Sequence, residues 1–172
     1  MDTALPRIIS SSACGDTAAG NWLALDHQLC FALYAASLAM TKAYKPLLAP
    51  LGLTYPQYLV LLVLWEADGI TVSQLGERLT LDSGTLTPLL KRLQSQGLLQ
   101  RRRDEADERR VRVLLTPAGQ ALRAQAEAVP RAMACATACD LQQRSALAKQ
   151  LHQLRQQLQA VPDAAHGVAP TF

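Results

Sequence analysis

Four cysteines are the side chains of this 172-residue chain best suited to covalent chemistry. Cys30 falls in the predicted first turn of a helix for which Asp26 is the expected N-cap residue. The partial positive charge of a helix N-terminus favours a thiolate, the reactive form of cysteine, whereas a carboxylate on the same face disfavours it. Free cysteines are also often small core residues. Position alone therefore leaves Cys30 either a reactive thiol or an inert core residue.

The other cysteines leave several kinds of thiol chemistry open. Cys14 lies in a segment without sustained periodicity, where we expect it to be incidental. Cys135 and Cys139 share a predicted helix at i, i+4, and His27 and Cys30 are spaced i, i+3, which are plausible metal-ligand spacings. Because the N-terminus lacks the features of a secretion signal, we expect a reducing cytoplasm. Permanent disulfides are then the poorest interpretation, and redox-active, metal-binding or inert thiols stay open.

A second group of residues, between Thr71 and Thr116, has the composition of a nucleic-acid-binding segment. It carries nine Lys and Arg against six Asp and Glu, a local net charge of +3 that equals the formal charge of the whole chain. The outer face of its second predicted helix presents Gly84, Thr85, Thr87, Pro88, Lys91 and Arg92. Such side chains can bond base edges or phosphates. The RRRDEADERR segment that follows suits phosphates or a minor groove, although taken alone it would also suit a solvated hairpin tip.

Two short helices and a hairpin must position these residues. Thr71 and Gln74 have the spacing of a capping box, which predicts a helix start. Apolar residues then recur at helical spacing on both sides of a break at residues 80–83, as Val72, Leu75 and Leu79 and as Leu86, Leu89, Leu90 and Leu93. Pro88 is discordant, so we expect that helix to start late or bend. After Gly97 the period changes to two, and Val111, Val113 and Leu115 predict a strand of a hairpin, the wing.

Further helices are predicted on both sides of this motif. The first begins near Trp22, with an apolar stripe at Leu29, Leu33, Ala36 and Met40. Thr54 and Pro56 begin a core helix that ends near Trp65, and Thr116 and Pro117 begin one that runs towards Cys135. A short coiled-coil-like seam follows, formed by Leu147, Leu151, Leu154 and Leu158. Two recognition helices that read successive half-sites of DNA must be related by a two-fold axis. Together with this requirement, the seam favours a homodimer.

Length and composition, with 49% hydrophobic residues, favour one globular domain. We predict a mainly α fold with a small β-hairpin, a winged helix-turn-helix with a helical dimerisation region. Its predicted parts are a disordered tail (1–20), the domain (21–160), which contains the DNA-binding part (71–116) and the dimerisation helices (21–45 and 117–160), and a flexible tail (161–172). No stretch approaches the roughly 18 apolar residues of a membrane helix, so we expect no membrane partner.

Five ordered segments resemble the multiple-antibiotic-resistance regulator family and, more closely, its organic hydroperoxide resistance regulator branch. They are LDHQLCFALY ending at Tyr34, LTYPQYLVLLVLWE at 53–66, LDSGTLTPLLKRL at 81–93, DERR at 107–110 and VPRAMACATAC at 129–139. The resemblance covers roughly Leu25 to Leu158. The wing pattern of Asp107 and Arg109 is shared by the whole family, whereas the helix-one Cys30 with downstream tyrosines marks the peroxide-sensing branch.

The resemblance implies a dimeric repressor, not an enzyme, that releases operator DNA and derepresses a peroxidase gene when organic hydroperoxides oxidise Cys30. It makes Cys135 the resolving thiol, which would form a disulfide with Cys30 of the other subunit, as in two-cysteine members. Tyr44 and Tyr55 would hydrogen-bond the thiolate from the partner subunit, with Tyr34 nearby. The DNA-binding residues that we expect are Ser83, Thr85, Thr87, Lys91, Arg92, Arg101, Arg102, Arg103, Asp107 and Arg109.

Gly84 departs from the family pattern, because a larger small residue is usual there. Three alternatives to the thiol switch remain: a metal-responsive regulator, a thiol peroxidase, and a regulator that binds small phenolic compounds between its dimerisation and DNA-binding regions. The thiol peroxidase would leave the helix-turn-helix unexplained. The resemblance implies no cofactor and no resident metal.

Overall fold

The computed structural model describes residues 23–104, 107–137 and 140–160. The predicted tails at 1–20 and 161–172 lie outside these residues. The chain divides into two compact units, one formed by residues 1–31 with 139–172 and the other by residues 32–138.

Seven α-helices and one hairpin make up most of the described chain. In chain order they are α1 (Leu29–Leu48), α2 (Tyr55–Glu66), α3 (Val72–Leu79), α4 (Ser83–Ser95), β1 (Leu99–Arg103), β2 (Val111–Leu115), α5 (Pro117–Ala126), α6 (Ala128–Ala136) and α7 (Leu141–Gln159). Short 3-10 helices at Leu25–His27 and Ala49–Leu51 flank α1. The predicted fold class, a mainly helical winged helix-turn-helix with one hairpin, is confirmed.

Helix α2 is the centre of the 32–138 unit. Its residues Val60, Leu61 and Leu64 are at most 1% exposed, as are Leu75 of α3 and Leu90 of α4. The apolar face of each short helix is thus removed from water, which leaves the opposite face of α4 for other contacts. The predicted core role of the 53–65 segment is confirmed.

Local capping explains where these helices begin. The Thr71 hydroxyl accepts a hydrogen bond from the Gln74 backbone N–H at 3.2 Å, and the Gln74 side chain accepts the Thr71 N–H at 2.9 Å, so the predicted capping box is present. Thr54 forms the same kind of box with Gln57, and Pro56 lies in the first turn of α2. Helix α3 ends at Thr80, whose φ of 56° is left-handed and turns the chain towards α4.

The wing, residues 99–115, is an antiparallel hairpin in which Leu99 pairs with Leu115 and Arg103 with Val111. Val113 is fully buried and Arg112 exposed, as the predicted alternation of period two requires. The isolated bridge between Thr71 and Arg112 adds the chain segment before α3 to the free edge of β2. The hairpin is therefore held against the α2–α3 loop.

Two details of the predicted helices are wrong. Asp26 lies inside the 3-10 helix, and α1 begins at Leu29, so Asp26 is not its N-cap residue. The helix from Pro117 towards Cys135 breaks at Glu127 because Pro130 has no N–H for the Ala126 carbonyl and its ring crowds that carbonyl. Helix α6 ends at Ala136, and Cys139, which was predicted to share a helix with Cys135, lies outside the described residues.

Pro88 lies inside α4, which begins at Ser83, so the predicted late start of this helix is wrong. The residue whose carbonyl would have received the missing hydrogen bond is Gly84, in the exposed first turn of the helix. Water can satisfy a carbonyl at that position, so the helix continues through the proline.

Helices α1 and α7 expose large apolar side chains. Leu29, Tyr34 and Leu38 of α1 are 54–61% exposed, and α7 contains no buried residue. The predicted seam is on the surface of α7, with Leu147, Leu151 and Leu158 41–62% exposed. Among the described helices, none is by itself long and apolar enough to cross a membrane, although residues 29–51 and α2, which meet at a 70° bend, have sufficient length and composition as a pair.

Candidate nucleic-acid interface and thiol site

The outward face of α4 carries the predicted base-reading residues. Ser83, Thr85, Lys91 and Arg92 are exposed and Thr87 is half-buried, while Leu86, Leu90 and Leu93 are buried. The polar face is thus anchored by the core on its opposite side. This arrangement presents hydroxyl and cationic groups from one rigid helix, as major-groove recognition requires.

Asp82, the N-cap residue of α4, organises the first turn of this face. Its carboxylate accepts the Thr85 backbone N–H at 2.9 Å and the Thr85 hydroxyl at 2.7 Å. The hydrogen bond from the Thr85 hydroxyl, followed by the one from its backbone N–H, lowers the pKa of Asp82. The Thr87 hydroxyl donates to the Ser83 carbonyl at 2.7 Å. Both threonine hydroxyl protons are therefore engaged, and their oxygens are free to accept hydrogen bonds from base amino groups.

Gly84, the departure from the family pattern, has a structural role beside this cap. A Cβ added at Gly84 would lie 2.9 Å from the Asp82 Oδ1 atom, which the Thr85 N–H already holds in place. A larger residue would have to displace the capping carboxylate. The glycine therefore allows the Asp82 cap to form in this sequence.

The arginine side chains of the wing differ in the contacts that they make within the chain. Arg101 Nε donates to Gln94 Oε1 of α4 at 2.8 Å, and Arg102 donates to Gln100 Oε1 at 3.1 Å. Arg103 and Arg109 are exposed, and no ion pair of the Arg109 guanidinium occurs within the described parts of the chain. Within the described residues, Arg109 is thus a cation near the wing tip that is exposed for a partner.

Asp107 shapes the wing tip that carries Arg109. Its carboxylate accepts the Arg109 backbone N–H at 3.1 Å and pairs with Arg110 Nε at 3.2 Å. Its carbonyl accepts the Arg110 N–H at 2.9 Å. These hydrogen bonds from the backbone N–H groups of Arg109 and Arg110 to Asp107 hold the turn in place, a role that Asp often has in turns. Asp107 was predicted as a DNA-binding residue, and its contacts suit a residue that orients Arg109.

Tyr44 and Tyr55 come together in the structure. Their ring centroids are 4.6 Å apart, and Tyr58 lies 6.0 Å from Tyr44. Burial raises the pKa of all three hydroxyls, and the neighbouring tyrosines raise those of Tyr44 and Tyr58 further. The hydroxyls therefore stay protonated at neutral pH and can donate hydrogen bonds.

A cavity of about 540 Å³ opens beside Tyr55. It lies between the C-terminal half of α1 and the start of α2, and its lining includes Leu38, Lys42, Lys45, Leu53 and Tyr55. The wall is mainly apolar and the two lysines supply the charge. It can hold a small organic molecule next to the Tyr55 ring.

The two predicted redox cysteines belong to different compact units of the chain. Cys30 is the second residue of α1, and Cys135 is near the end of α6; both are exposed free thiols. Tyr34 is exposed on α1. The predicted first-turn position of Cys30 is confirmed, whereas its interpretation as a core residue is wrong.

The metal-ligand spacings do not converge in the part of the chain that the structure describes. Among those residues, no group of three or more His, Cys, Asp or Glu side chains could hold a metal ion. Cys139 of the proposed ligand set lies outside them.

Three contributors to the site were not found from the sequence. Tyr58 joins the tyrosine pair and could have been identified from its i, i+3 spacing to Tyr55 on α2. Asp82 could have been identified as an Asp directly before a helix. The ion pair between Asp104 and Arg112, at the end of the wing strands next to the tip, had no local signal, because it depends on the hairpin register.

Comparisons with known proteins agree with this architecture. The family model for the SarA/Rot transcriptional regulators matches residues 42–125. The transcriptional regulator TtmR of Methylorubrum extorquens (strain PA1) is 52% identical over 136 residues, which are 79% of this chain and 70% of the relative. The organic hydroperoxide resistance transcriptional regulator of Bacillus subtilis (strain 168) is 58% identical over 106 residues, 62% of this chain and 72% of the relative.

Solved structures of AbfR are similar to this chain in both sequence and fold. Reduced AbfR bound to DNA is 37% identical with a TM-score of 0.65, and the match covers 78% of this chain and 94% of that one. A disulfide-formed structure of AbfR is 40% identical with a TM-score of 0.56, covering 76% and 91% of the two chains. AbfR of Staphylococcus epidermidis has also been solved, and is 35% identical with a TM-score of 0.67 over 78% of this chain and 92% of that one.

Proposed function

This chain belongs to the multiple-antibiotic-resistance regulator family, as a regulator of the organic hydroperoxide resistance type that binds DNA, and on that premise we propose that it is a dimeric repressor switched by oxidation of Cys30. In the reduced state it holds operator DNA. An organic hydroperoxide oxidises Cys30, and a disulfide with Cys135 of the partner subunit then releases the DNA.

The observation that carries the DNA-binding half of the proposal is the exposed polar face of α4 beside the wing. In this proposal Ser83, Thr85 and Thr87 meet base edges, and Lys91 and Arg92 meet guanine or phosphate. Arg101, Arg102 and Arg103 neutralise phosphates, and Arg109 enters a minor groove from a tip that Asp107 shapes. AbfR, of similar fold, is a protein whose DNA complex has been solved.

The sensing half begins with the Cys30 thiolate. Its sulfur attacks the outer peroxide oxygen, so an S–O bond forms as the O–O bond breaks. The transferred oxygen keeps its proton, and the departing alkoxide takes a proton from water to become the alcohol. Cysteine is thereby oxidised by two electrons to the sulfenic acid, and the hydroperoxide is reduced. The Cys135 thiol of the partner subunit then displaces water from the sulfenic acid and forms the disulfide. The protonated hydroxyls of Tyr44 and Tyr55 stabilise the thiolate from the partner subunit, with Tyr34 nearby, and the cavity beside Tyr55 accommodates the apolar part of the hydroperoxide.

Dimerisation is supported by the unpaired apolar surfaces of α1 and α7. Each helix exposes several large aliphatic residues, which a monomer would leave in water. A partner subunit would cover them by the burial that drives most protein association. A disulfide needs Cα atoms within about 7 Å, so its formation between subunits would constrain these helices and, through them, the spacing of the two α4 helices.

A mobility-shift experiment tests the proposal. The reduced protein is mixed with duplex DNA from upstream of its own reading frame, then treated with cumene hydroperoxide and finally with dithiothreitol. We expect a shifted complex, its loss on oxidation and its return on reduction. A complex that survives saturating hydroperoxide would contradict the sensing half, and no complex with reduced protein would contradict repression at this site.

A second candidate, a regulator that binds a small phenolic compound, is favoured by one observation. A cavity of about 530 Å³ lies between α2, α5 and α6, lined by Tyr58, Leu62, Trp65 and Arg123 among others. Its aromatic side chains suit a phenolic ring, and Arg123, Glu66 and Glu127 in its lining offer groups that could hydrogen-bond the phenol hydroxyl. On this alternative, 4-hydroxybenzoate would release DNA from a Cys30→Ser variant. Under the thiol switch it would not.

A further inference from the structure

Strand β2 of the wing is held on both edges. On one edge it pairs with β1, and on the other the Val113 N–H donates to the Ile70 carbonyl at 2.9 Å and the Gly69 N–H donates to the Val113 carbonyl at 3.1 Å. Asp68 adds to this second edge, since its Oδ1 accepts the Gly69 N–H at 2.8 Å and the Leu115 N–H at 2.9 Å. The α2–α3 loop is therefore a fixed base for the hairpin.

One side chain joins this base to the far end of the hairpin. Arg112 Nε donates to Asp104 Oδ2 at 2.5 Å, and Arg112 Nη1 donates to the Gly69 carbonyl at 2.9 Å. Asp104 directly follows β1, and its backbone N–H donates to the Arg110 carbonyl at 2.9 Å. A single guanidinium thus spans three segments: the end of β1, strand β2 and the α2–α3 loop.

The burial of this pair makes its geometry restrictive. The Asp104 side chain is 9% exposed, whereas that of Arg112 is 48% exposed. A carboxylate so far removed from water depends on its charged partner. The guanidinium offers donors in a rigid planar fork, so it can serve two acceptors in different directions, which an ammonium on a flexible stem does poorly.

We propose that Asp104, Arg112 and the Gly69 carbonyl form a strut that fixes the direction in which the wing leaves the helices. Asp104 and Arg112 are positioning residues for Arg109, whose contact with DNA belongs to the proposed function on which this inference rests. Arg109 lies five residues after Asp104 and three residues before Arg112 in the sequence. The strut therefore holds the chain on both sides of the turn that carries Arg109. Loss of the strut leaves the hairpin paired and its backbone bonded to the α2–α3 loop at Val113 and Leu115, but it removes the side-chain connection between that loop and the end of β1 next to the tip.

Replacing Asp104 by a neutral residue tests the proposal, because the strut and simple charge repulsion predict opposite changes in DNA affinity. If wing carboxylates mattered only through repulsion of phosphates, Asp104→Asn would tighten DNA binding. The strut predicts the reverse, a weakening of about tenfold, the size of losing one good DNA contact. Glu108→Gln is the matched control, because it removes the same charge from an exposed side chain of the same wing. We expect this control to bind as the wild type does or more tightly.

The measurement is fluorescence anisotropy of the upstream duplex with reduced full-length protein, with circular dichroism to establish that each variant is folded. Arg112→Lys keeps the charge but loses the fork, and we expect the same tenfold loss. Combining either variant with Arg109→Ala should add little to the loss from Arg109→Ala alone, because the strut acts through that residue.

Unchanged or tighter binding by folded Asp104→Asn, or full affinity in Arg112→Lys, would overturn the strut. Losses that add fully to that of Arg109→Ala would overturn its action through Arg109. If Asp104→Asn does not fold, Arg112→Lys decides alone. Absence of binding by the wild type would instead contradict the proposed function, so the two failures are distinguishable.

Discussion

The hydroxyl groups of Tyr44 and Tyr55 are the residue-scale feature on which the proposed thiol chemistry depends most. A thiolate gains from donors only if they keep their protons, and burial raises the pKa of both tyrosines above the ordinary range. The hydroxyls are therefore donors throughout the physiological pH range. Their rings lie in contact, so two donors come from adjoining positions.

Removing these hydroxyls should slow oxidation of Cys30. A hydrogen bond to a charged group is worth about 1.5 to 3 kcal/mol, so Tyr44→Phe or Tyr55→Phe should lower the rate of sulfenic acid formation by roughly tenfold or more. The measurement is stopped-flow kinetics with cumene hydroperoxide. Tyr58→Phe is the matched control, since its ring is in the same cluster but has no proposed contact with the thiolate. Equal rates in wild type and both variants would remove the tyrosines from the mechanism.

The Asp82 cap predicts a pH-dependent contribution to stability. Its folded-state pKa is lowered by the Thr85 hydroxyl and then the Thr85 N–H, so its contribution is present above the unfolded-state pKa of about 3.9 and is lost as the pH falls through the folded value. Asp82→Asn should therefore lower the melting temperature at pH 7, and the difference from wild type should shrink below about pH 4. Thermal unfolding monitored by circular dichroism checks this. A difference that is the same at both pH values would contradict it.

At the scale of single residues, the sequence predicts contacts within one turn of the chain better than contacts between distant residues. The i, i+3 spacing of Thr71 and Gln74 was sufficient for the capping box because both groups lie in one turn. The partners of Arg112 are eight and 43 residues away in the sequence, so only the folded register brings them together. Gly84 was identified only as a departure from the family pattern, and its closeness to the Asp82 carboxylate becomes evident only in three dimensions.

At the scale of elements, α4 and the wing form the DNA-binding unit of the proposed function, and both pack against α2 or the α2–α3 loop. The helices of this unit could be predicted since each has a clear apolar period and a cap. The break between α5 and α6 was missed, although Pro130 marks it, because the apolar pattern continues across Glu127. The start of α1 was misplaced because Asp26 has the right chemistry for a cap but lies in a separate 3-10 helix.

The freedom of the Arg109 side chain predicts a specific electrostatic effect. Arg109→Ala should weaken binding of the upstream duplex by about 1 to 3 kcal/mol and reduce the slope of log affinity against log salt by about one, because one phosphate or groove contact is lost. Lys149→Ala, which removes the same charge from exposed α7, is the matched control. Anisotropy titrations over a range of salt concentrations give both quantities. An unchanged affinity and slope in Arg109→Ala would mean that the wing does not touch DNA.

At the scale of the whole molecule, the proposed switch requires a second subunit. The apolar seam of α7 and the exposed face of α1 could be predicted from periodicity, whereas their partner could not, because a stripe of leucines does not specify which surface covers it. The same limit applies to the choice between Cys135 and Cys139, which depends on the assembled dimer.

Oxidation should convert the dimer to a covalent one. After hydroperoxide treatment and blocking of free thiols, a non-reducing gel should show a species of twice the chain mass in the wild type and in Cys139→Ser. The species should be absent in Cys30→Ser and Cys135→Ser, because each lacks one sulfur of the proposed bond. Dependence on Cys139 instead of Cys135 would overturn the assignment of the resolving thiol. A monomeric oxidised product would mean that the sulfenic acid or a mixed disulfide is the end state.

The most direct test of the central claim, that oxidation of Cys30 releases DNA, is anisotropy of the labelled upstream duplex during titration with cumene hydroperoxide. Wild type and Cys30→Ser are compared at equal fractional saturation, so any direct effect of the peroxide on DNA is common to both. We expect the wild-type signal to fall to that of free DNA and the Cys30→Ser signal to stay at its bound value. Release of DNA by Cys30→Ser at the same peroxide concentration would contradict the account.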